Sequence, residues 1–265
     1  MTLIEAFIVG LLQGLTEFLP VSSSAHIKLA KLLFAIENTE SQILFDLICH
    51  LGTLIALLLF LKDEIIRIFR QDRQKLMLLF IACFPLIPCY FFLKPLRDFA
   101  SQPQFLGICL VCTAMILFMG QKLRARQENI PTFKRKVGDV LWIGFMQSAA
   151  LIPGISRSAS TISCARILGW EAQESVRFSF LLSIPTIIGG NCLELFKIYL
   201  SEENLPSISP SVCAVGFITS FVFGFLIIRF ALSYLERGNF RPFAWYCLGF
   251  GILVTLFLNF FPRAV

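Results

Sequence analysis

Gly10-Leu-Leu-Gln-Gly-Leu-Thr-Glu-Phe-Leu-Pro-Val-Ser-Ser-Ser-Ala-His26 and Ala150-Leu-Ile-Pro-Gly-Ile-Ser-Arg-Ser-Ala-Ser-Thr161 are the stretches whose reading decides the fold. Both lie in apolar surroundings, yet they carry Glu17, His26 and Arg157. Pro20, Pro153 and Gly154 also interrupt them where hydropathy alone asks for continuous helix. A charge at bilayer depth costs roughly 2.5–3.5 kcal/mol on insertion scales, so such residues usually face a cavity and act there. Broken backbone at that depth is tolerated only where protein buries it or it lines water. The regions of about 3–33 and 139–168 therefore each read as helix, break and second helix, with neither half long enough to span comfortably. Re-entrant helical hairpins are the economical expectation for both.

Outside these two regions, six stretches are long and apolar enough to cross about 30 Å of hydrocarbon. They lie near 43–61, 76–93, 104–120, 177–198, 211–232 and 243–261. Hydrophobic residues make up 57% of the 265 and charged ones only 15%. That is far from soluble-domain usage and places the chain among polytopic membrane proteins. The net charge of +6 is then explained by basic cytoplasmic loops rather than by nucleic acid, and no nucleic-acid partner is expected. The N-terminal apolar run lacks a basic leader and carries Glu5, Gln13 and Glu17, so no cleavable signal peptide is expected. The nine cysteines lie almost entirely in apolar segments and act as small hydrophobes, and Cys109-x-x-Cys112 has no His or carboxylate neighbour to make it a metal site.

Basic residues orient the spans. Lys62, Arg67, Arg70, Arg73 and Lys75 mark the 62–75 loop as cytoplasmic, and Lys122, Arg124, Arg126, Lys134, Arg135 and Lys136 do the same for 121–138. The 199–210 loop has Glu202 and Glu203 but no Lys or Arg, which suits the outside. Six spans and two hairpins then close with both termini outside, the first hairpin entering from outside and the second from inside. An offset of 133 residues superposes Pro20 on Pro153, Ser23 on Ser156, Phe45 on Phe178 and Thr53 on Thr186, and one of 134 superposes Gly10 on Gly144 and Gln13 on Gln147. Each repeat, about 1–120 and 139–261, holds one hairpin and three spans, joined by the basic linker 121–138. Three is odd, so the repeats are inverted, an arrangement that places a site at their interface. The expectation is one all-α polytopic membrane domain over 1–265, with six full transmembrane helices and two re-entrant hairpins in two inverted-topology repeats.

The second break, Pro153-Gly154-Ile155-Ser156-Arg157-Ser158, opens a helix. Free N–H groups and the positive end of the helix dipole attract anions, and the forked guanidinium of Arg157 suits phosphate or carboxylate. Ser156, Ser158, Ser160 and Thr161 add hydroxyls, completing a candidate phosphate cradle. The blander alternative is helix capping with a structural arginine. In the first break, Glu17, Ser22, Ser23, Ser24 and His26 are the parts of an acid–base or nucleophilic site. Its blander alternative is a serine-capped half-helix, a Glu17–Arg157 ion pair and an interfacial His26, although an ion pair alone needs neither the histidine nor the serine cluster. Gln13, one turn before Glu17, either orients it or contacts phosphate. Asp46 and His50 line the cavity or bond between helices. Glu194 with Lys197 reads as an interfacial pair.

Gln13-Gly-Leu-Thr-Glu17-Phe-Leu-Pro-Val-Ser-Ser-Ser-Ala-His26 and Pro153-Gly-Ile-Ser-Arg157-Ser-Ala-Ser-Thr161 closely resemble the two signatures of the undecaprenyl-diphosphatase family of bacteria, also called bacitracin-resistance proteins. The likeness extends to Phe45-Asp-Leu-Ile-Cys-His-Leu-Gly-Thr53 and to the length and hydropathy of the whole chain. It implies a hydrolase of a phosphoric anhydride that converts undecaprenyl diphosphate to undecaprenyl phosphate, recycling the carrier lipid of the cell wall. It implies a multi-pass protein of the bacterial inner membrane whose site opens to the outer face, with a polyprenyl diphosphate as substrate. It also implies dependence on a divalent cation, Mg²⁺ or Ca²⁺, for which Glu17 is the candidate ligand. Carried over, the site is Glu17, Ser23, His26, Ser156, Arg157 and Thr161, with Gln13 and Ser22 close by. Gln13 stands where many members have Glu, and Ala159 where Gly is usual. In the expected chemistry Arg157 and the helix-start N–H groups hold the diphosphate. Ser23 attacks after activation by His26 or Glu17, or one of these activates water directly. A homodimer is compatible with the sequence. The rival function is a lipid-phosphate flippase or transporter using the same charges to bind a headgroup, and the serine–histidine cluster separates the two because transport does not need it.

Overall fold

The computed structural model describes residues 1–36, 39–123, 133–200 and 208–260, and every regular element among them is helical. In chain order they are α1 (Leu3–Thr16), α2 (Ser23–Leu33), α3 (Glu40–Phe60), α4 (Lys62–Gln71), α5 (Arg73–Cys83), α6 (Leu86–Phe92) and α7 (Lys94–Ala100). Then follow α8 (Leu106–Lys122), α9 (Phe133–Ser148), α10 (Arg157–Ile167), α11 (Ala172–Leu200), α12 (Pro210–Leu235) and α13 (Arg241–Phe260). Residues 124–132 of the 121–138 linker, and Glu202 and Glu203, lie outside the described residues.

Among the described residues six helical stretches are long and apolar enough to cross a membrane: Glu40–Phe60, Arg73–Phe92, Pro103–Lys122, Ala172–Leu200, Pro210–Leu235 and Arg241–Phe260. They coincide with the six read from hydropathy. The second is jointed at Phe84 and Pro85, where the ring nitrogen has no proton to continue the ladder, so α5 and α6 form two pieces. The two interrupted regions remain short: α1 has 14 residues and reaches only about 21 Å. It stops at the Glu17–Ser22 break, and α2 then packs back against it. In the second region α9 is followed by a turn of tight helix at Ala149–Leu151, the Pro-Gly break, and α10 packed against α9.

The distribution of side chains suits a lipid surround. Large apolar groups point outward, with Phe92 at 84% exposure and Trp245 at 62%, whereas Thr53, Thr113, Ser160, Ser163, Ser183 and Ser220 are wholly enclosed. Small and hydroxylic residues let backbones approach closely, the packing expected where lipid removes the hydrophobic drive between helices. α1 lies along α12, which also packs on α3, and α9 lies along α5, which also packs on α11; α8 and α13 pair with each other. Gly10 makes the first contact possible, since a Cβ there would sit 2.8 Å from the Gly216 carbonyl oxygen. Gly144 does the same for α9, where a Cβ would overlap the Ala82 carbonyl oxygen.

Charges gather at two ends. At one, Arg177 binds Glu236 (2.9 Å) and Glu64 (3.3 Å), and Lys75 binds Glu64 (3.0 Å), tying together α4, α5, α11 and the end of α12. At the other, the Arg97 guanidinium lies 4.3 Å and the Lys197 ammonium 5.3 Å from the centre of the Tyr90 ring.

Candidate active site

The first break is held by its own polar groups. Ser22 adopts φ 68, a left-handed conformation that costs a non-glycine residue about 1–3 kcal/mol. Its carbonyl accepts hydrogen bonds from the Ala25 amide (3.2 Å) and lies 2.8 Å from His26 Nδ1, and this geometry starts α2 with Ser23 at its first turn. Glu17 caps the end of α1. Its Oε2 accepts from Ser23 Oγ at 2.8 Å and from Gln13 Nε2 at 3.2 Å. Gln13 also donates to Thr53 Oγ1 at 3.4 Å, so α3 helps to fix the carboxylate through the amide.

The second break depends on Gly154. It has φ 100, and a Cβ there would lie 2.6 Å from the Cβ of Cys109, so both conformation and space exclude a side chain. Thr113 on α8 clamps this turn: its hydroxyl lies 3.1 Å from the Gly154 carbonyl and accepts from the Ser156 amide at 3.1 Å. Ser156 caps α10, its Oγ accepting from the Ala159 amide at 3.2 Å. Arg157 is the first residue of the helix and carries its charge beside the positive end of the dipole.

The breaks meet each other. Arg157 Nη2 donates to Glu17 Oε1 at 2.7 Å, the Gly154 amide donates to Ser24 Oγ at 3.1 Å, and Ser158 Oγ donates to the Leu19 carbonyl at 3.0 Å. The Glu17–Arg157 ion pair of the bland reading is therefore present, but the Ser22 side chain makes no capping hydrogen bond to α2. The carboxylate and guanidinium side chains are only 7% and 14% exposed, so each is the other's main compensation for lost water.

A cavity of about 650 Å³ opens over this junction. Glu17, Ser22, Ser23, Ser156 and Arg157 lie on its wall, with Asp46 and His50 from α3, Gln147 from α9, and Thr186 and Asn191 from α11. Tyr90, Arg97, Glu194 and Lys197 also line it, so it reaches the end of the bundle where those charges gather. Four of the expected site residues stand behind the wall. Gln13 is enclosed beneath Glu17. Ser158 is tied to the first break, and Thr161 Oγ1 is paired with Ser179 Oγ of α11 at 2.6 Å. His26 faces α13: its Nε2 lies 2.7 Å from the Tyr246 hydroxyl and its ring stacks on Phe250 at 5.0 Å. The contact with Ser23 Oγ is made by Glu17, and His26 touches the site through the Ser22 carbonyl. Sequence reasoning did not single out Tyr246 or Thr113, and it named Thr186 only as the repeat counterpart of Thr53. Tyr246 is 220 positions from its partner, and no local pattern joins them.

Among the described residues no three His, Cys, Asp or Glu side chains cluster as a metal cage. Among the described residues Glu17 is the one carboxylate in contact with Arg157 and Ser23, and the Gln13 Oε1 enclosed beneath it has no partner among them. One carboxylate on the cavity wall fits a hard cation that takes its remaining ligands from substrate phosphates and water, the usual habit of Mg²⁺.

The sequence profile of a family described as "Bacitracin resistance protein BacA" matches residues 6–253. The undecaprenyl-diphosphatase of Protochlamydia amoebophila is 41% identical over 98% of this chain and all of its own length. That of Carboxydothermus hydrogenoformans is 36% identical over 95% of this chain and 96% of its own. Undecaprenyl-diphosphatase 3 of Bacillus cereus is 34% identical over 97% of each.

Proposed function

The chain belongs to the bacitracin-resistance BacA family, and from that premise we propose that it hydrolyses undecaprenyl diphosphate to undecaprenyl phosphate and inorganic phosphate. One observation carries this reading beyond kinship: a serine hydroxyl bonded to a buried carboxylate (2.8 Å) whose other oxygen holds an arginine (2.7 Å), on the wall of one cavity. Headgroup binding alone needs the arginine but not the serine–carboxylate pair.

In this mechanism the diphosphate takes Arg157 from Glu17, and the guanidinium with the free amides at the start of α10 neutralises charge growing on the terminal phosphoryl oxygens. Ser156 Oγ adds a hydrogen bond. Ser23 Oγ gives its proton to Glu17 Oε2 and bonds to the terminal phosphorus as the bond to the bridging oxygen breaks, releasing the prenyl monophosphate. Water then attacks the phosphoserine, the Ser23–phosphorus bond breaks, and Glu17 returns its proton to Ser23 Oγ. Both protons of the water leave with inorganic phosphate. His26 holds the Ser22 carbonyl and so the aim of Ser23. Glu17, on the cavity wall, would hold a divalent cation, Mg²⁺ or Ca²⁺, which would supply further charge neutralisation on the diphosphate.

The site is further assigned to the outer face of the bacterial cytoplasmic membrane. The basic 62–75 segment lies at the end of the bundle held by Glu64 and Arg177, and the cavity reaches the opposite end through Arg97 and Lys197. The short pairs α1–α2 and α9–α10 are read as re-entrant hairpins of two inverted repeats. Reciprocal packing supports that reading: α1 on α12 answers α9 on α5, and α3 on α12 answers α11 on α5.

The test is phosphate release from undecaprenyl diphosphate by purified protein in detergent, for wild type and Arg157→Ala, with and without EDTA. Release that requires Arg157 and falls with EDTA is expected. A folded wild type that releases nothing moves the assignment to a lipid-phosphate transporter, and release indifferent to EDTA removes the cation.

A further inference from the structure

Gln147 stands one position before the end of α9, on the wall of the cavity that holds Arg157 and Ser156. It is 1% exposed, and among the described residues its Nε2 has no hydrogen-bond partner. An amide nitrogen carries two protons, and leaving them unpaired in a buried site costs about 1–3 kcal/mol. The other end of the amide is engaged: Thr186 Oγ1 lies 3.2 Å from Gln147 Oε1, and Thr186 shares the cavity wall. The single proton of this hydroxyl is shared with the Leu182 carbonyl at 2.7 Å, which ties the threonine to α11 and the amide to the threonine. The first half holds the matching pair, Gln13 with Thr53, at offsets of 134 and 133 residues. There the amide is spent on Glu17, whereas in the second half no group among the described residues takes up the Gln147 donor.

We propose that Gln147 is a substrate-binding residue whose Nε2 donates to a non-bridging oxygen of the diphosphate, with Thr186 as the positioning residue behind it. This rests on the reading of the cavity as a diphosphate site. The chemistry favours a phosphoryl oxygen because the unpaired group is a neutral donor, needs an acceptor, and shares its wall with a guanidinium already suited to phosphate. Neither the motif around Glu17 nor that around Arg157 includes this position.

Two substitutions separate binding from scaffolding. Gln147→Glu has nearly the same shape and keeps an oxygen to accept from Thr186, but it replaces the donor by a charge that repels phosphate. Gln147→Ala removes both ends. The measurement is binding of farnesyl methylenediphosphonate, a non-hydrolysable prenyl diphosphate analogue, to the full chain in detergent, with thermal stability recorded alongside. The expected result is a Kd raised about tenfold in Gln147→Ala and more steeply in Gln147→Glu, with the latter melting as wild type does. Gln147→Glu binding within about twofold of wild type overturns the proposal, since a scaffolding amide tolerates that exchange. Phosphate release, measured separately, keeps the two readings apart. Wild type that binds the analogue but hydrolyses nothing defeats the hydrolase and leaves Gln147 to the binding ratio. Wild type that hydrolyses, with the Gln147→Glu chain binding equally well, defeats Gln147 alone. Wild type that does not bind the analogue defeats Gln147 as a diphosphate ligand.

Discussion

Glu17 and Arg157 are each tolerable at depth because the other is there. Arg157→Ala leaves a buried carboxylate alone, a loss of about 3–5 kcal/mol, and removes the proposed phosphate ligand, so phosphate release should fall at least ~100-fold. Arg157→Lys should recover stability better than turnover, because a point charge replaces a fork, and melting curves read beside release rates would show it. Ser23→Ala tests the nucleophile: turnover should vanish and no phosphorylated serine should be trapped, while near-normal turnover would hand the attack to water. His26 faces Tyr246 rather than Ser23, so Tyr246→Phe should cost less than about tenfold in turnover. A loss as deep as that of Ser23→Ala would give the histidine–tyrosine pair a chemical role. Glu17, Ser23 and Arg157 were legible as residues because charge and hydroxyl stand out against an apolar chain. Tyr246 and Thr113 were not, since a single hydroxyl inside an apolar span is ordinary until its partner is seen.

At the scale of elements, the two breaks are built by backbone conformation as much as by side chains. Gly154 has a left-handed φ and no room for a Cβ, so Gly154→Ala should displace the start of α10 and lower both melting temperature and turnover; full activity would mean that the turn is looser than its contacts imply. Gly10 acts through contact instead. Gly10→Val would push α1 from the Gly216 backbone and should destabilise by about 1–3 kcal/mol, read from thermal unfolding in detergent. Helix position was well marked by hydropathy. The joint at Phe84 and Pro85 was not, because a proline within a long apolar run is compatible with either a kink or a stop.

For the whole molecule, the proposed orientation makes a prediction that needs no enzymology. In a chain whose native cysteines are replaced, a single cysteine at the exposed Gln102 should react with a membrane-impermeant maleimide added outside intact cells, and one at the exposed Gln71 should react only after lysis. The reverse pattern would turn the cavity to the cytoplasm and remove the outer-face assignment. The sequence by itself determined the helical membrane class, the six spans, the two breaks and the identity of the charged residues. Each follows from the cost of placing polar groups in hydrocarbon, which is paid locally and can be read along the chain. Only the tertiary structure decided that Glu17 meets Arg157 across 140 positions, that Ser23 bonds to Glu17 while His26 turns to Tyr246, and that Gln147 stands over the same cavity with its donor free. Those outcomes depend on how helices far apart in sequence pack, and the direction of a side chain across such a contact is set by its neighbours rather than by its own spacing.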